Sequence, residues 1–174
     1  MKIILVLIIS FLTVSCKQDS SEKAVAHVTE KSQGVSDIVV VDYNGLKDYL
    51  NRNDDKTYVV NFWATWCKPC IKELPYFEQL GAKYKQEDVE VILVSLDFPE
   101  QLETGLTKFV EKKALQSRIL LLDDPAANDW IPKVDQSWSG AIPATIIYKN
   151  NERSFYEGSY TYQELEDALK KIKR

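Results

Sequence analysis

The sequence predicts an α/β fold with a mixed central sheet and helices on both of its faces. Residues 58–63 and 89–97 are mostly apolar runs of strand length, as expected for buried central strands. Segments with helical spacing follow both runs, so the strands are joined as strand–helix–strand units. Two later strands flank a short polar turn and predict an antiparallel hairpin, which makes the sheet mixed.

The first half of the predicted domain alternates strands with helices. Residues 38–41 are a β-branched run, which predicts a strand, and residues 44–53 place three apolar side chains on one helical face. The apolar strand 58–63 leads directly into residues 68–86, where apolar side chains recur every three or four positions. Residues 89–97 are the second buried strand.

The second half adds a further helix and strand, the hairpin and a terminal helix. Residues 99–115 have helical spacing, and residues 118–122 form a short apolar strand. Residues 144–148 and 153–157 are the two arms of the hairpin, and residues 161–173 form an amphipathic helix. A sheet of this kind usually carries its functional residues beyond the carboxyl ends of its central strands.

Length and composition fit one globular domain with a short appendage. The chain has 174 residues, of which 45% are hydrophobic and 28% charged, enough to build a core without a disulfide or metal to stabilise it. Lys and Arg total 22 against 26 Asp and Glu, a net charge of −4. A mildly acidic chain without a basic, aromatic-rich stripe is not expected to bind nucleic acid.

The N-terminal residues predict an export signal that is not part of the fold. A short basic start precedes an apolar stretch at 3–14. That stretch is shorter than the ~20 residues of a membrane span and has the length of a secretory signal. We therefore expect a signal peptide at 1–15, a polar tether at 16–36 and a globular domain at 37–174.

Cys16 follows a small residue at the end of this stretch, an arrangement that resembles a bacterial lipoprotein cleavage site. The resemblance implies that Cys16 becomes the lipidated N-terminus and anchors the protein to a membrane, facing the periplasm. Thr13 departs from the usual pattern, which has Leu at that position. The alternative is an ordinary secretory signal, cleaved nearby with loss of Cys16. His27 lies in the tether without partner ligands at metal-binding spacing, so we expect it to be solvated.

The remaining cysteines, Cys67 and Cys70, lie at the predicted start of the helix that follows a buried strand. The amide N–H groups and the dipole of a helix N-terminus stabilise a thiolate, which is the reactive form of the sulfur. Cys67 is therefore expected to be the exposed attacking thiol. Cys70, three positions on, is expected to be the more buried resolving thiol. Pro69 has no N–H to lose in the first helical turn and stiffens it.

Other uses of a cysteine pair fit the sequence less well. A structural disulfide is possible in an exported protein, but it would close a loop of only two residues and stabilise little. A zinc site needs two further Cys or His ligands, which the predicted domain does not contain, and copper delivery would also want a His ligand there. Covalent haem attachment needs a His after Cys70, where Ile71 stands. Thiol–disulfide chemistry is the favoured interpretation.

The segment 62–70, with the sequence FWATWCKPC, resembles the active site of the TlpA/ResA-like thioredoxin family, and Pro75 is also in register. The second family hallmark, a cis-proline before the last two strands, resembles Ile142-Pro143. The resemblance covers residues ~38–174 and implies a thioredoxin fold with a Cys67–Cys70 redox disulfide. It also implies that the loop of Ile142 and Pro143 packs against the cysteines and that the backbone of Ile142 pairs with an extended substrate. The alternative for Pro143 is an ordinary proline at the start of an edge strand.

The resemblance suggests roles for further residues around the cysteines. Thioredoxin has a buried Asp at the position of Asn61, and Glu73 is expected to relay protons in its place, with a pKa raised by partial burial. The alternative for Glu73 is an exposed residue paired with Lys. Trp66 is expected at the apolar collar around the sulfurs, and Trp63 fits core packing better. We expect substrate contacts from the residues Trp66, Lys68, Pro69, Ile142 and Pro143.

The segment 128–140, with two tryptophans, departs from the plainer family pattern. It forms either a partner surface above Pro143 or an aromatic packing unit, and the sequence leaves both open. Pro75 lies within the predicted helix that begins after Cys67, where it is expected to remove a hydrogen bond and cause a kink.

The expected function is an exported, membrane-tethered reductase of protein disulfides, in a family that includes reductants of apocytochrome c thiols in cytochrome c maturation. The chain carries no nicotinamide or flavin motif. We therefore expect no cofactor beyond the redox-active disulfide, and a thiol protein in the membrane as electron donor. One alternative is a net oxidant or isomerase, in which Lys68 favours the thiolate. Another is a non-catalytic binding lipoprotein, against which the presence of both cysteines argues.

Overall fold

A computed structural model describes residues 38–174. The predicted signal peptide, Cys16, the tether and His27 lie outside the described residues. The strands are β1 (Val39–Val41), β2 (Thr57–Trp63), β3 (Val89–Ser95), β4 (Arg118–Leu122), β5 (Ala144–Lys149) and β6 (Glu152–Glu157). The helices are α1 (Tyr43–Leu50), α2 (Lys68–Tyr84), α3 (Thr107–Lys113), α4 (Ala127–Val134) and α5 (Tyr162–Lys173).

The six strands form one mixed sheet in the order β1-β4-β3-β2-β5-β6. The first four of these are mutually parallel, and β5 is antiparallel to both β2 and β6. All seven residues of β2 are buried, because this strand has neighbours on both sides and helices on both faces. The predicted mixed sheet and its hairpin are confirmed.

Two hydrophobic cores cover the two faces of the sheet. Side chains alternate along β2, so that Val59 and Trp63 join one core while Val60 and Phe62 join the other. Helices α2, α3 and α5 contribute to the first core, and α1 and α4 contribute to the second. The two buried faces confirm the predicted arrangement of helices, and they place β2 at the centre of the described domain.

Two regions differ from the predicted elements. The single helix expected at 99–115 is a 3₁₀ turn at Pro99–Gln101, a π-helical turn at Leu102–Leu106 and then α3. Helix α4 was not predicted, because Pro132 inside it lacks the N–H that a helix interior uses.

The tryptophans of this second region decide between the two interpretations of segment 128–140. Trp130 and Trp138 are each 5% exposed and pack 5.7 Å apart in the second core, with Phe62 4.7 Å from Trp138. Aromatic packing is therefore confirmed for both tryptophans.

Candidate active site

The cysteine pair lies where β2 ends and α2 begins. Cys67 is the N-cap of α2, with extended backbone angles, and its Sγ accepts a hydrogen bond from the backbone N–H of Cys70 at 3.3 Å. Pro69 occupies the first turn, as expected for a residue without an N–H. The two cysteines are joined by a disulfide, with their Cα atoms 5.3 Å apart. The predicted position at a helix N-terminus is confirmed.

The sulfurs are less accessible than the sequence suggested. Cys70 is fully buried, as expected, but Cys67 is only 5% exposed, so the expectation of an exposed attacking thiol is wrong for this disulfide state. Both cysteines belong to the hydrophobic core that contains Trp63. Ile142 packs against that core, and its carbonyl oxygen lies 3.8 Å from Cys67 Sγ. The site therefore holds its sulfurs in a largely desolvated environment.

The loop beside Cys67 contains the predicted cis-proline. The Ile142–Pro143 peptide bond is cis, and the Pro143 carbonyl accepts a hydrogen bond from Gly158 N–H at 2.9 Å. Gly158 has a φ of +140°, a conformation that other residues rarely adopt. The proximity of Ile142 to Cys67 brings together the two family hallmarks, which lie 75 residues apart in the sequence.

Two side chains hold this loop, Trp138 from the segment with two tryptophans and Glu157, which the sequence did not single out. The indole N–H of Trp138 donates to the Ala141 carbonyl at 2.8 Å. The Glu157 carboxylate accepts two hydrogen bonds from Ser139, one from its backbone N–H at 2.7 Å and one from its hydroxyl at 2.6 Å. Because Glu157 belongs to β6, it ties the loop to the sheet. The contact between Glu157 and Ser139, 18 positions earlier, has no signal in the local sequence.

Asp97 anchors the loop that enters the cysteine pair. It is 2% exposed, and its carboxylate accepts from the backbone N–H and the hydroxyl of Thr65, at 3.0 and 2.6 Å, and from the Ser95 hydroxyl at 2.7 Å. The Leu96 N–H also donates to the Trp63 carbonyl at 2.8 Å. These bonds fix the backbone just before Cys67. In the sequence, the position of Asp97 at the end of a buried strand was the available signal that it anchors this loop.

Glu73 lies one helical turn after Cys70 and is 1% exposed. Its carboxylate accepts hydrogen bonds from the side-chain amide of Asn61 at 3.2 Å and from the backbone N–H of Tyr160 at 2.8 Å. Burial raises the pKa of Glu73 to about 7, against the opposing effect of these two hydrogen bonds. The expected rise in pKa is confirmed, and the alternative of an exposed Glu paired with Lys is wrong.

Asn61 links Glu73 to the strand that follows the cis-proline. Its amide nitrogen also donates to the Thr145 hydroxyl at 3.1 Å, while its amide oxygen is buried without a hydrogen-bond partner among the described residues. A protonated Glu73 has an O–H to donate, and rotation of the Asn61 amide would turn this free oxygen towards it. The pair can thus accommodate either protonation state of Glu73.

The remaining predicted site residues lie at the surface or in the core. Trp66 is 57% exposed, and Lys68 and Pro69 are exposed beside it. Trp63 is fully buried and packs against Phe109, with 5.5 Å between ring centroids, as expected for a core residue. Pro75 lies within α2, and the predicted kink there stays a prediction.

Neither a metal site nor a membrane-spanning helix is found in the part of the chain that the structure describes. Within residues 38–174, no group of three or more His, Cys, Asp or Glu side chains is arranged to hold a metal ion. None of the helices in this range is both long and apolar enough to cross a membrane.

Sequence comparisons relate the chain to known thiol–disulfide enzymes. Residues 32–153 match the AhpC/TSA family. The chain is 34% identical over 137 residues to the thiol-disulfide oxidoreductase ResA of a Bacillus cereus strain, covering 77% of this chain and 73% of that protein. It is 32% identical over 140 residues to the ResA of Geobacillus kaustophilus, covering 79% and 75%.

Structural comparisons find the same fold. A thiol:disulfide interchange protein of the thioredoxin family from Chlorobium tepidum TLS aligns with a TM-score of 0.58 at 18% identity, covering 74% of this chain and 85% of that one. A secreted disulfide oxidoreductase of Mycobacterium tuberculosis, homologous to E. coli DsbE, aligns with a TM-score of 0.53 at 21% identity, covering 68% and 84%. The described domain therefore has the thioredoxin fold.

Proposed function

Because the chain belongs to the AhpC/TSA family and is a thiol–disulfide oxidoreductase of the thioredoxin type, we propose that it acts as a net reductant of protein disulfides. We propose further that it does so outside the cytoplasm, tethered to a membrane through Cys16. The redox-active disulfide is then its only redox group, and electrons reach it from a thiol protein in the membrane.

In this proposal the dithiol form of the protein is the reagent. The Cys67 thiolate attacks one sulfur of a substrate disulfide, so the substrate S–S bond breaks and its other sulfur leaves as a thiolate and takes up a proton. Cys70 then loses its proton to Glu73 and attacks Cys67 Sγ. The second substrate thiol is released, and the Cys67–Cys70 disulfide forms. The substrate gains two electrons and the protein loses two.

The proposal that the protein is a reductant rests on the desolvation of its two sulfurs. Strong oxidants of this fold owe their potential to a stabilised thiolate in the reduced form. Here Cys67 is 5% exposed, accepts one backbone N–H at 3.3 Å and faces the Ile142 carbonyl oxygen at 3.8 Å. Burial disfavours the charged sulfur, and the Ile142 carbonyl oxygen offers a thiolate no hydrogen bond. Burial therefore stabilises the disulfide relative to a thiolate, which supports a low reduction potential.

A net oxidant or isomerase is the second candidate, and it rests on Lys68. This residue is exposed and directly follows Cys67, where its charge favours a thiolate. A solvated lysine interacts weakly across water, so we expect its effect to be smaller than that of burial.

Reduction of insulin by a dithiol donor tests the activity. We expect Cys67→Ser to abolish turnover, and Cys16→Ser, the same change at the third cysteine, to leave the rate unchanged. Reduction that survives Cys67→Ser would exclude the proposed site. A wild-type protein that binds partners without any turnover would instead support a non-catalytic binding protein.

Two further experiments test the proposed location and substrate. Incorporation of labelled palmitate into the protein in cells is expected to be lost in Cys16→Ser, whereas equal labelling of both proteins, or none in wild type, would contradict lipidation at Cys16. The Cys70→Ala variant cannot resolve a mixed disulfide, so it retains its substrate covalently on Cys67. We propose apocytochrome c as one such substrate, by analogy with the family, and its absence from the trapped adducts would contradict that assignment.

A further inference from the structure

Two aromatic side chains are exposed on the loops that follow β2 and β3, the first of which leads to the attacking sulfur. Phe98 is 62% exposed and Trp66 is 57% exposed, more than any other large hydrophobic side chain among the described residues. Single exposed hydrophobic residues are common on protein surfaces. These two, however, lie on neighbouring loops at the catalytic end of the sheet, and Phe98 has no role in the fold or the chemistry described above.

The two loops are joined directly before each aromatic residue. Thr65 precedes Trp66, Asp97 precedes Phe98, and Thr65 donates to the Asp97 carboxylate through both its N–H and its hydroxyl. Phe98 itself has an extended backbone, with φ −69° and ψ 136°, as favoured by the proline that follows it. The two aromatic residues are therefore presented from a rigid, hydrogen-bonded base, which lowers the entropy cost of binding a partner.

The strand order places Phe98 on the opposite side of Cys67 from the cis-proline loop. Strand β2, which leads to Cys67, lies between β3, which leads to Phe98, and β5, which follows Pro143. Adjacent strands are about 4.8 Å apart, so the two flanking loops are separated by roughly 10 Å. An extended chain covers that distance in about three residues. A substrate that contacts Ile142 and crosses Cys67 thus reaches Phe98 one or two residues from its own cysteine.

Resting on the function proposed above, we propose that Trp66 and Phe98 bind an apolar side chain within two residues of the substrate cysteine. Phe98 is then a specificity-determining residue. The substrate class is an extended polypeptide whose reactive cysteine has an aromatic or large aliphatic neighbour. Such a segment is buried in a folded protein, so the preferred substrates are unfolded or newly exported chains.

Exchange with two matched peptides tests this preference. Each peptide carries its cysteine as a mixed disulfide with 5-thio-2-nitrobenzoate, and the two differ only in Phe or Ser next to that cysteine. The coloured thiol released by the dithiol form of the protein gives the second-order rate. We expect wild type to favour the Phe peptide about tenfold, which is the discrimination that burial of one apolar group provides. In Phe98→Ser this preference should fall to about twofold.

Val40→Ser is the control, because Val40 is an exposed hydrophobic residue, 46% exposed, on the edge strand β1 away from the cysteine pair. It should keep the tenfold preference. Phe98→Leu should give an intermediate value, and thermal unfolding checks that each variant is folded. An unchanged preference in Phe98→Ser, or equal rates for both peptides in wild type, would overturn the inference. Failure of wild type to reduce even the symmetrical nitrobenzoate disulfide would instead refute the proposed function.

Discussion

Two carboxylates in this domain, Glu73 and Glu166, have similarly low solvent exposure and opposite electrostatics. Glu73 is 1% exposed and accepts two hydrogen bonds, and Glu166 is 5% exposed and accepts four. The pKa of Glu73 is raised to about 7, whereas that of Glu166 is lowered to about 2. Low solvent exposure alone therefore does not decide whether a carboxyl group in this protein titrates near neutral pH.

The two carboxylates differ both in the cost of desolvation and in the charge of their hydrogen-bond donors. Desolvation has the largest effect on the pKa of Glu73, whereas hydrogen bonds from Lys170 and Lys83 have the largest effects on the pKa of Glu166. Lys170 at 2.7 Å and Lys83 donate to Glu166, and the hydroxyls of Tyr84 and Tyr162 add further bonds at 3.1 and 3.2 Å. These partners come from both α2 and α5, so Glu166 joins two helices. Its carboxylate is stabilised as an anion and has a structural role.

Glu73 is held only by neutral donors, the amide of Asn61 and the backbone N–H of Tyr160. Two such bonds offset part of the desolvation that raises its pKa, and no cation among the described residues offsets the rest. The same chain thus contains one carboxylate fixed as an anion for packing, and one, a helical turn from Cys70, able to gain and lose a proton near neutral pH.

The largest expected difference between the two carboxylates is the effect of Glu73 on stability as the pH changes. An unfolded Glu ionises near pH 4.5, but Glu73 in the folded protein ionises near pH 7, so folding becomes less favourable as the pH rises through this window. The cost at pH 8 is roughly 3 kcal/mol. We expect the unfolding free energy of Glu73→Gln, relative to wild type, to rise by about that amount between pH 4 and pH 8 in urea titrations. A difference that does not change with pH would show that Glu73 titrates normally.

The next largest difference between Glu73 and Glu166 should be in their effect on the rate of catalysis. Without a proton acceptor at position 73, Cys70 resolves the mixed disulfide more slowly, and we expect insulin reduction by Glu73→Gln to fall about a hundredfold at pH 7. Glu166→Gln is the matched control, and it should keep the wild-type rate and its pH profile. An equal loss in both variants would mean that the effect of Glu73 is one of general stability.

The stability of Glu166→Gln should have the opposite pH dependence. Glu166 stabilises the folded protein above pH 4.5, and this contribution is lost as the pH falls towards 2. We expect the variant to melt a few degrees below wild type at neutral pH, with the difference shrinking in acid. Scanning calorimetry at pH 3 and pH 7 measures this difference in melting temperature. A difference that is larger at pH 3 than at pH 7 would contradict the ion-pair explanation.

The smallest effect is expected from removing one neutral donor. Asn61→Leu deletes the side-chain hydrogen bond to Glu73, which favours the ionised form. We expect the pKa of Glu73 to rise by about one pH unit, in line with the strength of one hydrogen bond to a charged group. Carboxyl carbon NMR of the labelled protein reports this titration. An unchanged or lower value would show that Asn61 does not tune Glu73.

The sequence was sufficient for the fold and for the location of the site. The buried run ending at Trp63 and the helix beginning after Cys67 are local patterns, and hydrophobic periodicity reports them directly. The family resemblance added the cis bond before Pro143 and the raised pKa of Glu73, both present in the structure. Helix α4 was missed because local sequence rules treat Pro132 as a break.

What the sequence did not provide depends on contacts between distant residues. The backbone N–H of Tyr160 reaches Glu73 across 87 positions, and a backbone donor carries no residue-type signal. Glu157 and Asp97 act on loops that other strands bring to them. The burial of Cys67 likewise follows from packing beside Ile142, which no local pattern specifies.

The reduction potential of the Cys67–Cys70 couple tests the role of the desolvated sulfurs most directly. Equilibration with dithiothreitol or glutathione redox buffers at pH 7, followed by quantification of the free thiols, measures it. We predict a value at or below about −270 mV, because burial of Cys67 disfavours the thiolate of the reduced form. A value near about −120 mV would contradict this prediction and identify the protein as an oxidant.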